Sequence, residues 1–443
     1  MNKDRVFPAS HYKLKSPCRT QVEFQMCSLN DLVNEGHKAR TVWDFVDAMD
    51  TSVCLRNIST ISGAIGRPAV DPKILLALWI YSILDGNCSA RKLDELCQNH
   101  DIYKWICGGV SVNRTTLAEF RSHDTRKFDE LLTNCLAVMV QSGLINDSDF
   151  SQDGTRVKAH AGFNSFHREQ TLKNLKANLT EYLDHLKVEE IANPNAYEER
   201  QRATKIRAAT EKKQRLEAAL ENLEKARCEK VNNAKRNRET LTPKDLENAR
   251  ASMVDPEVRK MKMGDGGFRL AYNVQFATGL DSRVIYGVDV VSTLDPGTAP
   301  ILMAQVQERL KSLGLSQIKN WIADCAYSAK ADIRTIALLF PNCSYYAPPK
   351  PKKGEDPKKA VKGDCEAVKN WRKSIGSEEV KMIYKKRCST AEFSNMHTKN
   401  QALQELPVRG LVKVKGVTCL HALAQNISRY MDLLGKKLEG VLI

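Results

Sequence analysis

This chain of 443 residues has no Cys-x-x-Cys pair, no Cys/His cluster at metal-ligand spacing and no long hydrophobic run. The first two absences exclude the common zinc frameworks. Thirteen scattered cysteines, in a chain that shows no secretory signal, lead us to expect reduced thiols in a cytoplasm. The longest apolar stretch, from Ile74 to Leu84, falls well short of the ~20 residues a membrane helix needs, so a buried helix is expected there and no membrane partner. An acidic balance is lacking too: 68 Lys and Arg against 53 Asp and Glu leave a net charge of +15. A surplus of that sign favours a polyanionic partner, because neutralising phosphates releases condensed counterions, and nucleic acid is the first candidate.

The length allows two or three domains. Residues 1–145 read as an all-α N-terminal domain. Gly66-Arg67-Pro68 and Asp71-Pro72 punctuate the start of the apolar helix, and Ser89 caps the next one, through Cys97. A further helix follows Thr115. Short helices with small-residue turns and arginines at 91, 114, 121 and 126 are similar to helix-turn-helix DNA readers, so Arg91 and Arg121 are candidate DNA contacts. Residues 146–443 make a second domain interrupted by a helical hairpin at 168–250. Leu172, Leu175, Leu179, Tyr182 and Leu186 share one stripe; Leu216, Leu220 and Leu223 share another, with Asn193-Pro194-Asn195 between them. From Glu169 to Arg250 there are 18 Lys and Arg against 15 Asp and Glu, a near-neutral balance that suits a coiled coil better than a phosphate clamp. It is either a dimerisation or DNA-bridging arm or a solvated insertion.

Three acids stand out in the second domain. Asp324 ends an apolar strand pattern at Trp321-Ile322-Ala323, ahead of a helical pattern over Lys330–Leu339; it is either a cap for that helix or a functional group at the carboxyl end of a strand. Asp153 lies in a second strand pattern beside Gly154, which permits close approach. Glu392 lies in a helical register. Strands are also expected at 271–278 and 284–291 as an antiparallel pair, and at 343–347, with a helix from Ala299 to Leu313. In this order the first and fourth strands are adjacent, as in an α/β ribonuclease H-like mixed sheet. Residues 350–387, rich in Pro, Gly and Lys with a net charge of +7, read as a mobile DNA-contacting loop, with Trp371 either a base-stacking platform or a buried anchor.

The chain resembles the DDE transposases of bacterial insertion sequences. The resemblance is carried by Gly66-Arg67-Pro68, Ser89-x-Arg91-Lys92-Leu93, Thr116-Leu117-x-x-Phe120-Arg121, Asp153-Gly154-Thr155-x-Val157-Lys158-Ala159, Gly264-Asp265-Gly266-Gly267-Phe268, Tyr272-Asn273-Val274-Gln275, Ala323-Asp324-x-x-Tyr327-Ser328, and Arg409-Gly410-Leu411-x-Lys413-Val414 leading to Ala424-x-Asn426. It implies that Asp153, Asp324 and Glu392 are the catalytic acids and the ligands of two Mg2+ (or Mn2+) ions. It further implies that Tyr384, Arg387 and Lys399 contact DNA. The gap from Arg387 to Glu392 is one residue longer than in the best-known version of the family signature, and Cys325-Ala326 replaces the glycines common after the second acid. The implied activity is metal-dependent strand cleavage and strand transfer at insertion-sequence ends. Its partners would be double-stranded DNA, as element ends and target, and a second protomer in the DNA complex; its setting would be the bacterial cytoplasm at the nucleoid. Electrostatics agrees: carboxylates ~4 Å apart repel by roughly 4 kcal/mol per pair at an effective dielectric of ~20, and magnesium suits such oxygen ligands. A non-catalytic DNA-binding or DNA-bridging protein and a ribonuclease H-like nuclease are the competing expectations.

Overall fold

A computed structural model describes residues 27–58, 60, 67–192, 196–237, 240–350, 359–375, 378–401 and 403–440. Gly66 and the expected hairpin turn Asn193-Pro194-Asn195 lie outside them. Six helices come first: α1 (Lys38–Ala48), α2 (Pro72–Leu84), α3 (Ala90–Asn99), α4 (Asp101–Cys107), α5 (Arg114–Ser122) and α6 (Lys127–Gln141). Asp71 starts α2 by accepting from the Lys73 N–H, with Pro72 in the first turn where a missing N–H costs nothing. From Ile74 to Ile83 every side chain of α2 is buried. Ser89 caps α3, and Gly108 at φ 57 stops α4.

After β1 (Asp149–Lys158) and β2 (Phe166–Arg168) come α7 (Glu169–Ala192), α8 (Ala196–Asn237) and α9 (Pro243–Glu247), followed by β3 (Arg250–Ser252) and β4 (Arg259–Lys262). The long helices α7 and α8 pack on each other over a small apolar cluster of their own, Leu172, Leu216, Ala219 and Leu223 with Ala249 and Ala251. The β2–β3 ribbon closes the base of the hairpin. One stripe residue differs from expectation: Tyr182 is exposed and Leu183 is buried, because alternating three- and four-residue steps from Leu179 reach 183 and 186.

The remaining elements are β5 (Phe268–Gly279), β6 (Ile285–Val291), α10 (Ala299–Ser312), β7 (Asn320–Ile322), α11 (Lys330–Leu339), β8 (Ser344–Tyr346), α12 (Glu366–Ser374), α13 (Glu378–Asn400) and α14 (Leu411–Leu438). The expected antiparallel pair is β5–β6, and α11 has the expected bounds. The basic segment contains α12, and Trp371 on it is buried; its residues 351–358 lie outside the described ones. The mixed sheet runs β4-β5-β1-β7-β8, with β6 also on β5; β1 is antiparallel to β5 and parallel to β7. Among the described residues no helix is long and apolar enough to cross a membrane.

Helix α14 joins the two halves. It packs on α2, α6 and β6, and one continuous apolar cluster extends from Ala39 to Leu433. Asn426 exchanges two 2.8 Å hydrogen bonds with the backbone of Ile285, fixing the start of β6. His421 of α14 is buried, its Nδ1 has no partner among the described residues, and burial, with the charge of Arg121 second, lowers its pKa to about 3. The folded state therefore refuses the proton that the unfolded chain accepts below ~6.5. Stability should be whole above that pH and fall by about 1.4 kcal/mol per pH unit as the pH drops from there towards the folded value. Urea midpoints at pH 7.5 and 4.5 check this: His421→Gln should lose less stability between the two than the native chain, by about 3 kcal/mol.

Candidate functional site

Asp149, Phe150 and Ser151 of β1 pair with Asn320, Trp321 and Ile322 of β7. Continuing that parallel register two residues sets Asp324 beside Asp153, with both side chains on the same face of the sheet. Asp324 is also a cap: its Oδ1 accepts from the Ala326 N–H at 2.7 Å and starts a single 3-10 turn, Cys325–Tyr327. Both sequence-based readings of Asp324 therefore hold at once.

Helix α13 crosses that face. Arg387 places Nη2 3.3 Å from Asp153 Oδ1, and Asn395 Nδ2 donates to Asp153 Oδ2 at 2.8 Å. Ser394 and Thr278 of β5 join hydroxyls at 3.0 Å, and Ala391, Ser394 and Thr398 are buried. The pKa of Asp153 rises to about 6. Burial is the main cause, the Arg387 charge and the Gly154 N–H oppose it, and Asp324 and Asp295 add to it. Two acids on adjacent strands thus form a negative centre only partly neutralised by one guanidinium.

The opposite face of β1 and β5 carries a buried polar network. Gln152 Nε2 donates to Gln275 Oε1 at 3.0 Å and to Thr298 Oγ1 at 3.1 Å, while the Trp321 indole donates to Gln152 Oε1 at 3.1 Å. Asn273 and Gln275 both donate to Asp295 Oδ1, and the Tyr327 hydroxyl donates to Gln275. Burial, followed by Asp295, Asp153 and Asp324, holds the Tyr327 phenol well above its ordinary pKa, so it serves as a fixed donor. Since Gln275 pairs with Gly154, Asp295 lies across the sheet from Asp153.

Other expected residues are placed differently. Glu392 is exposed, and among the described residues no group of three His, Cys, Asp or Glu side chains is close enough to hold a metal. The extra residue explains it. Four residues on from Arg387 is about 40° round the helix, where Ala391 faces the sheet; five is about 140°, which carries Glu392 off that face. Lys399 is exposed on the side of Glu392, and Tyr384 is half-buried. Arg91 is exposed on α3. Arg121 is not: it is buried, stacked 4.5 Å from the Trp79 ring centroid and bonded to the Cys88 carbonyl, so it braces the helices and offers nothing to a phosphate. Sequence reasoning missed Asn395, although eight residues from Arg387 return it to nearly the same helical face.

Two family models match the chain. A transposase domain covers residues 27–123, from before α1 to the end of α5, and a transposase DDE domain covers residues 350–431, including α12, α13 and most of α14. No curated protein and no solved structure matches it.

Gly154 is the tightest point in the site. A Cβ there would stand 2.4 Å from Gln275 Nε2 and 2.8 Å from Asp295 Oδ1, so both must shift. Gly154→Ala should lower stability by about 1–3 kcal/mol in thermal melting. The control is Gly162→Ala, which meets nothing within 4 Å and should melt with the native protein.

Proposed function

The chain belongs to the DDE transposases of insertion sequences, and from that premise we propose that Asp153 and Asp324 form the core of a metal-dependent site for cutting and joining DNA at the element's ends. One observation carries this reading: the two acids stand side by side at neighbouring strand ends. The strand order, with first and fourth strands adjacent, supports a ribonuclease H-like catalytic core of residues 146–443, with 168–250 inserted and 1–145 as a helical, DNA-binding N-terminal domain.

The donor set fits a hard divalent cation. Magnesium and manganese take carboxylate oxygens, and two repelling carboxylates gain by sharing positive charge. Asp153 and Asp324 would hold the ions, two in the reading taken here. Bound there, they supply Lewis acidity towards a phosphodiester and a lowered pKa for the attacking water. Arg387 keeps Asp153 oriented from above, and Gly154 keeps the strand close to its supports from below. Hydrolysis at an element end frees a 3′ hydroxyl, whose attack on target DNA in the same site completes the transfer. Arg91 and Lys399, both exposed, are the proposed contacts to double-stranded DNA, with Tyr384 bordering the site on α13. The hairpin serves as the arm that brings two protomers together on their DNA ends, in the cytoplasm at the nucleoid.

A strand-transfer assay on DNA carrying the element's terminal repeats, with Mg2+ or Mn2+, tests the proposal. The native protein should cleave and join, while Asp324→Asn should bind the same DNA and lose about 10³-fold or more of both reactions. Cutting without joining would point to a nuclease, and binding alone to a DNA-bridging protein.

A further inference from the structure

We propose that Asn395, through its side-chain oxygen, completes the cation site of Asp153 and Asp324 in the place expected for Glu392. The inference rests on the function proposed above and names a residue for it. Asn395 stands on the face of α13 that meets the sheet, with its Nδ2 2.8 Å from Asp153 Oδ2. Its Oδ1 is buried and has no hydrogen-bond partner among the described residues. A buried amide oxygen without a donor forfeits about 1–3 kcal/mol, and carbonyl oxygens are ordinary ligands of hard divalent cations.

The two ends of a carboxamide suit two situations. Its amine is the only end that can face a carboxylate alone; its oxygen is the end that can join a carboxylate around a cation. No other described side chain of α13 offers this. Arg387 is a cation, Ala391 has no polar atom, and Ser394 and Thr398 are occupied by Thr278 and by the helix backbone. Glu392 is exposed and about 140° round the helix from Arg387. Asp295 is the remaining acid that acts on Asp153, but it lies across the sheet with its Oδ1 engaged by Asn273 and Gln275. A neutral third ligand also leaves a site of lower negative charge, which Arg387 already balances in part.

Titration of Mn2+ into the full-length protein, followed by the electron paramagnetic resonance signal of free Mn2+, tests the assignment independently of DNA chemistry. Asn395→Ala should weaken Mn2+ binding by about 10-fold or more, Asn395→Asp should bind at least as tightly as the native protein, and Glu392→Gln should stay within about twofold. Strand joining should follow the same order. If Asp324→Asn loses Mn2+ while Asn395→Ala keeps it, or if Glu392→Gln is the variant that loses it, this assignment is overturned and the two-aspartate site stands. Mn2+ binding by the native protein that Asp153→Asn and Asp324→Asn leave unchanged would overturn the proposed function and this inference together. Asn395→Asp, close in size and shape, keeps the test valid should Asn395→Ala fail to fold.

Discussion

Parallel pairing of β1 with β7 is the constraint on which the rest of the molecule depends. Its register sets Asp153 against Asp324, and a slip of one residue would turn one of them to the opposite face. Bringing two carboxylates together is unfavourable, so the register has to be enforced by contacts that do not involve them. Those contacts lie on the other face: the Trp321 indole on Gln152, Gln152 on Gln275 and Thr298, and Tyr327 on Gln275. The Tyr345 hydroxyl adds a 3.0 Å bond to the Tyr327 carbonyl, tying β8 to the turn that follows Asp324. Each member sits in low dielectric, where a hydrogen bond is strong and an unpaired group is costly, so the network resists slippage as a unit.

Helix α13 adds the third side of the site by the same economy of contacts. Small or hydroxylated residues at 391, 394 and 398 let its backbone come close to β1 and β5, and the larger polar residues at 387 and 395 then reach Asp153. Close approach and polar reach are both consequences of which residues the helical period brings to one side. The position of the helix acid in the chain decides less than its angle round the axis.

Sequence reasoning was reliable where a pattern had one physical meaning. The alternation in β5 and β6, the bounds of α11 and the apolar stripes of α7 and α8 all reflect burial on one side, which repeats with a fixed period. It failed where the same residue type serves two purposes. Arg121 looks like any basic residue of a DNA-reading helix, and only the neighbouring Trp79 ring and Cys88 carbonyl make it a brace. Glu392 has the right chemistry, and a single extra residue in the helix turns it outward. The basic segment before α13 has the composition of a loop, yet Val368 and Trp371 bury one side of α12. Asn395 was unreadable for the opposite reason: an asparagine in a helix signals nothing until Asp153 is seen beside it.

The two stretches that family models match are far apart in sequence but share one core, and this bears on how binding and chemistry are connected. Gly416 of α14 passes so close to Thr125 that a Cβ there would fall 2.2 Å from the Thr125 Cβ, and the Thr125 hydroxyl donates to the Val412 carbonyl at 3.0 Å. On the far side of the same junction, buried Arg309 of α10 pairs with Asp129 of α6 at 2.9 Å and bonds the Thr133 hydroxyl and the Tyr286 carbonyl. A charge held at such a junction is costly to separate, since opening it would leave a guanidinium without its partners in low dielectric. The N-terminal helices are therefore part of the scaffold that carries β6, α10 and α14. A force applied where DNA meets those helices is transmitted through close-packed side chains to the sheet that holds Asp153 and Asp324. The hairpin is built the other way: its apolar cluster is its own, so it can meet a partner without disturbing the register of the two acids.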